Sequence, residues 1–162
     1  NFSYTFGNAK VATGSFTGTA SGNVVTGLSS ISVTFDGTPF TGSGSLNPTS
    51  FENGTGLWIG SGAVASFDGT QNNFLFGDGG YGYTGTFTNQ FYSIVYYSPL
   101  TNDAAVILGA AIPAYDSQFN PPHSYSASRW SLAVAPVPEP GPVMLWGAGL
   151  AGLFALRRRR SI

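Results

Sequence analysis

The chain has 162 residues, 8% of them charged, no cysteine and a formal net charge of −1. Residues 1–137 hold Lys10 and Arg129 against Asp36, Glu52, Asp68, Asp78, Asp103 and Asp116, a balance of −4. Without basic stripes for phosphate contact, nucleic acid is set aside as a partner. Without cysteine, and with a single histidine, there is neither a disulfide framework nor a usual zinc ligand set.

Solvation of such a body must come from Ser, Thr, Asn and Gly. That composition is common in extracellular β proteins and favours lateral association. Period-2 alternation runs through it, with no helical periodicity before residue 143. Residues 1–6 place Phe2, Tyr4 and Phe6 on one face. Residues 10–20 set Ala12, Gly14, Phe16, Gly18 and Ala20 against Val11, Thr13, Ser15, Thr17 and Thr19. Ile31, Val33 and Phe35 alternate with polar neighbours. Further strands are predicted at 40–46, 57–59, 63–67, 74–76, 81–88, 91–97, 106–112 and 125–134. Residues 117–126 read as an ordered loop.

The dipeptides Asp36-Gly37, Asn53-Gly54, Asp68-Gly69 and Asp78-Gly79 are turn signals that tolerate positive φ. Glycines inside strands, such as Gly14, Gly18, Gly42 and Gly85, predict bulges or tight sheet contacts. About ten short strands with turns every 8–12 residues indicate an all-β fold. The expected form is an antiparallel β-sandwich, jelly-roll or Greek-key-like, over residues 1–135. A Pro-rich stalk at 136–142 and a single apolar helix within 143–162 follow it.

Candidate chemistry is sparse. His123 is the single histidine, follows two prolines, and has no Gly-x-Ser-x-Gly elbow beside it; a solvent-exposed loop position is expected. Six carboxylates could form a glycosidase pair, but Asp36, Asp68 and Asp78 precede glycine, where bonds to local backbone explain them. Asp68, Asn72, Asn73 and Asp78 offer hard oxygen ligands for calcium, on a spacing unlike an EF-hand; turn chemistry competes for the same oxygens. Tyr81, Tyr83, Tyr92, Tyr96 and Tyr97 read as a stacking platform for sugars or as core. Thr13, Ser15, Thr17 and Thr19 form a hydroxyl ladder, the wet face of a sheet or an adhesive surface. Phe2, Tyr4 and Phe6 pair within their own sheet, or complete a neighbour's sheet by strand exchange and so build a filament.

The end of the chain has three ordered parts. Pro138, Glu139 and Pro140 form a stiff extended stalk. An apolar run follows at 143–156, with the Gly-rich stretch from Trp146, and then Arg157, Arg158, Arg159 and Arg160. Fourteen residues of helix give roughly 21 Å, short of the ~30 Å hydrocarbon core, so the arginines must snorkel to lengthen the span. By the positive-inside rule they stay cytoplasmic and residues 1–140 lie outside.

This tail resembles the PEP-CTERM sorting signal of Gram-negative bacteria and cyanobacteria. The resemblance covers about the last 26 residues. It implies export, transient membrane retention, and an exosortase, a membrane-embedded cysteine peptidase-like enzyme that removes the tail. Pro138, Glu139 and Pro140 would be positions of its substrate. Asn at position 1 fits an upstream secretory signal, and Asn1 and Asn53 fit the N-x-Ser/Thr acceptor pattern. The expected function is that of a non-enzymatic surface or extracellular-matrix protein, structural or adhesive, with no cofactor unless calcium. A carbohydrate-binding or carbohydrate-cleaving jelly roll is the alternative, and a surface protein whose tail is never cut is a third.

Overall fold

The computed structural model describes residues 1–40, 46–52, 54–78, 89–95, 102–109, 111–117, 119 and 123–135. The Pro-Glu-Pro stalk, the apolar run, Trp146 and the four arginines lie outside the described residues, as do Gly42, Gly85, Tyr81, Tyr83, Tyr96 and Tyr97. Among the described residues there are twelve strands, one short 3-10 turn at Ala127–Arg129 and no α-helix. No described helix is long and apolar enough to cross a membrane.

The strands are β1 (Phe2–Thr5), β2 (Val11–Ser21), β3 (Val24–Phe35), β4 (Thr38–Pro39), β5 (Asn47–Glu52) and β6 (Leu57–Ile59). They continue as β7 (Ala65–Ser66), β8 (Asn73–Gly77), β9 (Asn89–Val95), β10 (Asn102–Leu108), β11 (Ala111–Ser117) and β12 (Trp130–Leu132). One sheet runs β12-β1-β2-β3-β4, with β7 also on β3; the other runs β11-β10-β9-β8-β5-β6. Every strand pair is antiparallel. β12 returns beside β1 after the chain has built the second sheet, giving the spatial order 4-1-2-3 of a Greek key.

One aromatic core joins the sheets. Phe2 stacks on Phe16 and Trp130 of its own sheet, with centroids 5.8 and 5.5 Å away, and on Phe91 of the other at 5.7 Å. Phe74 and Phe76 stack at 4.3 Å beneath them. Phe2 faces Gly14 across the β1–β2 pair. A Cβ there would come within 2.0 Å of the Ser32 carbonyl and 2.5 Å of the Phe2 ring, so glycine is what lets the ring lie flat on β2. Gly18 is equally tight, against Val25 and the Thr26 carbonyl. β1 thus pairs within its own chain on both edges, with Phe2, Tyr4 and Phe6 all buried.

Several boundaries differ from the alternation pattern. β3 begins at Val24, well before Ile31, because Gly22 takes φ +56° and closes a two-residue hairpin with Asn23. Its early half carries Gly27 and Ser30, both at positive φ, which break the alternation. The single strand predicted over 106–112 is two, folded at Gly109 with φ +57°. β11 then reaches Ser117 with Pro113 on an edge strand, where a missing N–H costs no ladder bond. β5 carries Pro48 and buried Thr49 and Ser50, a composition that hides a strand.

Candidate functional site

Two of the charged groups of the body, Asp116 and Arg129, form a largely buried ion pair, while Lys10 pairs with Asp36 at the surface. β11 turns Asp116 inward, where it is 1% exposed. Its carboxylate accepts bonds from the Tyr4 hydroxyl at 2.9 Å and from the Gly7 N–H at 3.0 and 3.1 Å. Arg129, carried by the 3-10 turn, pairs with it at 3.1 Å and lies over the Tyr4 ring at 5.8 Å. Arg129 also donates to the Ser124 carbonyl. Tyr125 stacks on Tyr4 at 5.6 Å and donates to the Gly69 carbonyl at 2.9 Å. Burial first, and the Asp116 charge second, push the Tyr4 hydroxyl well above its ordinary range. Burial likewise pushes Tyr125 up to about 12.

His123 belongs to this lock, and is half-buried instead of standing exposed on a loop. Its Nδ1 lies so close to Gly7 that a Cβ there would meet it at 2.9 Å. Its carbonyl accepts the Ser117 N–H at 3.0 Å. Nδ1 has no hydrogen-bond partner among the described residues, and neither has Arg129 Nε. Both Asp116 oxygens are occupied by protein donors. The arrangement holds β1, β11 and the approach to β12 together and leaves the carboxylate no free side for a substrate.

The four residues expected to offer calcium ligands all bond to other groups of the protein. Asp68 is exposed, and its Oδ1 accepts the N–H and the hydroxyl of Thr70 at 2.9 and 2.7 Å. The Asn23 side chain first, and Thr70 next, lower its carboxyl to about 2. Asn72 is fully buried; its oxygen accepts the Ser66 N–H at 2.8 Å, and its amide donates to Ser93. Asn73 exchanges two bonds with the backbone of Phe51, at 2.8 and 3.1 Å, joining β8 to β5. Asp78 accepts from the Asn89 N–H at 3.1 Å and the Asn89 amide at 2.9 Å. Asp68 and Asn72 meet around Ser66; Asn73 and Asp78 serve other strands. Among the described residues no group of three or more His, Cys, Asp or Glu is placed to hold a metal ion.

The turn reading of the aspartates holds locally for Asp68. Asp36 instead sends its carboxylate across to the Val11 N–H at 2.9 Å, while Asp36 and Gly37 both take positive φ. Asp103 accepts from the Tyr115 hydroxyl at 3.2 Å, and Glu52 from Thr55 at 2.7 Å. Of the tyrosine group, Tyr92 is described: it is half-buried on the outward face of the second sheet, 5.7 Å from Trp58. The hydroxyl ladder is the wet face of the β2–β3 hairpin, with Ser15 bonded to Ser32 at 2.9 Å and Thr17 to Ser29 at 2.8 Å.

A second feature was not expected from the sequence. The tip of the β2–β3 hairpin overhangs the core, and beneath it opens a cleft of about 390 Å³. Phe16, Gly18, Ala20 and Val25 form one wall, and Leu132, Val134 and Ala135 the other, with Phe67 and Asn1 also lining it. The amino group of Asn1 donates to the Ala133 carbonyl at 2.7 Å, and the Ala133 N–H returns a bond to Asn1 at 2.9 Å. The chain is therefore tied to the body as far as Ala133. Val134 is 73% exposed. The small residues Gly18 and Ala20, next to Gly22-Asn23, are the signal that points to this overhang.

No curated protein and no solved structure matches the chain. The segment that continues from the cleft does have a match, beginning one residue after Ala135. Residues 136–160 fit the family model of the PEP-CTERM protein-sorting motif, so this chain carries that signal, which implies export to the cell envelope or surface and handling by an exosortase.

Proposed function

We propose that this protein is a non-enzymatic, exported β-sandwich that residues 136–160 deliver to the cell surface or extracellular matrix, where it serves a structural or adhesive role. The observation that carries the reading is the sorting motif, joined directly to a body whose six carboxylates all have internal partners. Mass spectrometry of the native chain tests it, alongside a Glu139→Ala variant. The expected result is loss of the tail in the parent and an intact tail in the variant. A parent chain that still carries Arg157–Arg160 would sink the processing step. The polymeric form of this reading exchanges β1 between copies, since a swapped strand makes the same contacts in a neighbour. Electron microscopy of the secreted material decides that form, and isolated particles rule it out.

A second reading, polysaccharide binding, is favoured by aromatic side chains on the outward face of the second sheet. Trp58 lies against Phe51 and Tyr92, and Tyr115 is 37% exposed along the same row. A glycan panel with a Trp58→Ala control tests this: saturable binding lost in the variant supports it.

A further inference from the structure

We propose that the cleft between the β2–β3 overhang and residues 132–135 is the surface on which the body docks against its membrane-embedded processing enzyme. The inference rests on the sorting reading above and adds a recognition surface outside the motif itself.

Chain reach makes the contact hard to avoid. From Ala135, which lines the cleft, to Pro138 is three residues, at most about 10 Å of chain. An enzyme that encloses Pro138, Glu139 and Pro140 therefore works within about 10 Å of the rim of the cleft. The lining is suited to such a partner. Its walls are the apolar Phe16, Val25, Phe67, Leu132 and Val134, and its polar groups are those of Asn1, Ser15, Thr17 and Ser30, with no acidic side chain. Its volume is that of a pocket able to accept one or two projecting side chains. The reciprocal Asn1–Ala133 bonds fix the exit strand to the body. A partner that grips the tail is consequently held beside the cleft by a short tether, which raises the effective concentration for a second contact. Beside the cleft, β12 is the terminal strand of its sheet among the described residues, an edge that a substrate-binding groove can pair with.

The test uses the full chain co-expressed with the enzyme, and follows tail removal over time by mass spectrometry. Two variants place a carboxylate in the cleft from opposite walls: Val134→Glu next to the motif, and Ala20→Glu remote from it in sequence. Both positions are exposed, so the fold should stand, and the thermal midpoint of each checks that it does. The expected result is about tenfold slower tail removal in each, as for a charge placed in the centre of an interface, with the midpoint unchanged. Wild-type rates in both variants overturn the docking surface. So do variants that keep the rate but lose binding to anionic vesicles, or lose self-association in sedimentation, which assign the cleft to lipid or to a second copy. The motif control separates the two levels. If the parent chain is never cut, the sorting reading fails and the docking proposal with it. If the parent is cut and Glu139→Ala is not, while the cleft variants match the parent, docking alone fails.

Discussion

The two ends of β1 lie in opposite surroundings. Toward Gly7, the strand enters a closed polar lock in which Tyr4, Gly7 and Arg129 all converge on Asp116. Toward Asn1 it borders an open apolar cleft, and its backbone holds the strand from which the sorting tail departs. Between the two, Phe2 ties both sheets together. The contrast is between a buried polar cluster at the Gly7 end of the strand and apolar surface at its Asn1 end.

Breaking the lock should have the largest effect. Asp116→Ala strands the Tyr4 hydroxyl, the Gly7 N–H and the Arg129 charge, a loss of about 3–5 kcal/mol that urea denaturation would read. Gly14→Ala acts on the middle of the strand, where the added Cβ collides with backbone at Ser32. It should cost about 3 kcal/mol, and a midpoint near wild type would mean that Phe2 does not lie on β2.

Alkaline titration compares the lock with free tyrosine. Tyr4 and Tyr125 keep their protons in the folded state above the ordinary value of 10, whereas the unfolded chain releases them there. Stability should therefore fall as pH rises past about 10. Tyrosinate absorbance from Tyr125 should appear near pH 12; appearance near pH 10 would contradict its burial. At the open end, Val134→Glu should move stability by no more than about 0.5 kcal/mol. A loss matching that of Asp116→Ala would erase the contrast between the ends.

The smallest effect belongs to Asp68. Its folded carboxyl titrates near 2 against an ordinary 3.8, so its contribution is complete above about pH 4 and is lost as pH falls through 2. Asp68→Asn should flatten that part of the acid limb by a few tenths of a kcal/mol, since the group is exposed and screened.

Of the strand predicted over 125–134 only Trp130–Leu132 forms, because residues 127–129 make a 3-10 turn. The alternation of Ile31, Val33 and Phe35 and the Asp36-Gly37 turn were legible because each depends on residues near in sequence. The sorting motif was legible for the same reason. Asp116 was not: its partners Tyr4 and Gly7 lie 112 and 109 residues away, and nothing beside it in the chain marks it as buried. The cleft was not legible either, because an overhang and not a motif forms it. The early half of β3 was obscured by Gly27 and Ser30, whose positive φ interrupts the period of two.

The pairing of β1 with β12 also sets a timetable. Phe2 lies opposite Leu132, so the first strand of the chain waits for almost the last before it has both neighbours. A chain that emerges N-terminus first can form the β2–β3 hairpin early, since that contact is local. The stacking of Phe2 on Trp130 and the pairing of Arg129 with Asp116 close only after residues 129 and 130 have emerged. Completion of the body's fold thus waits for the residues that directly precede the sorting motif.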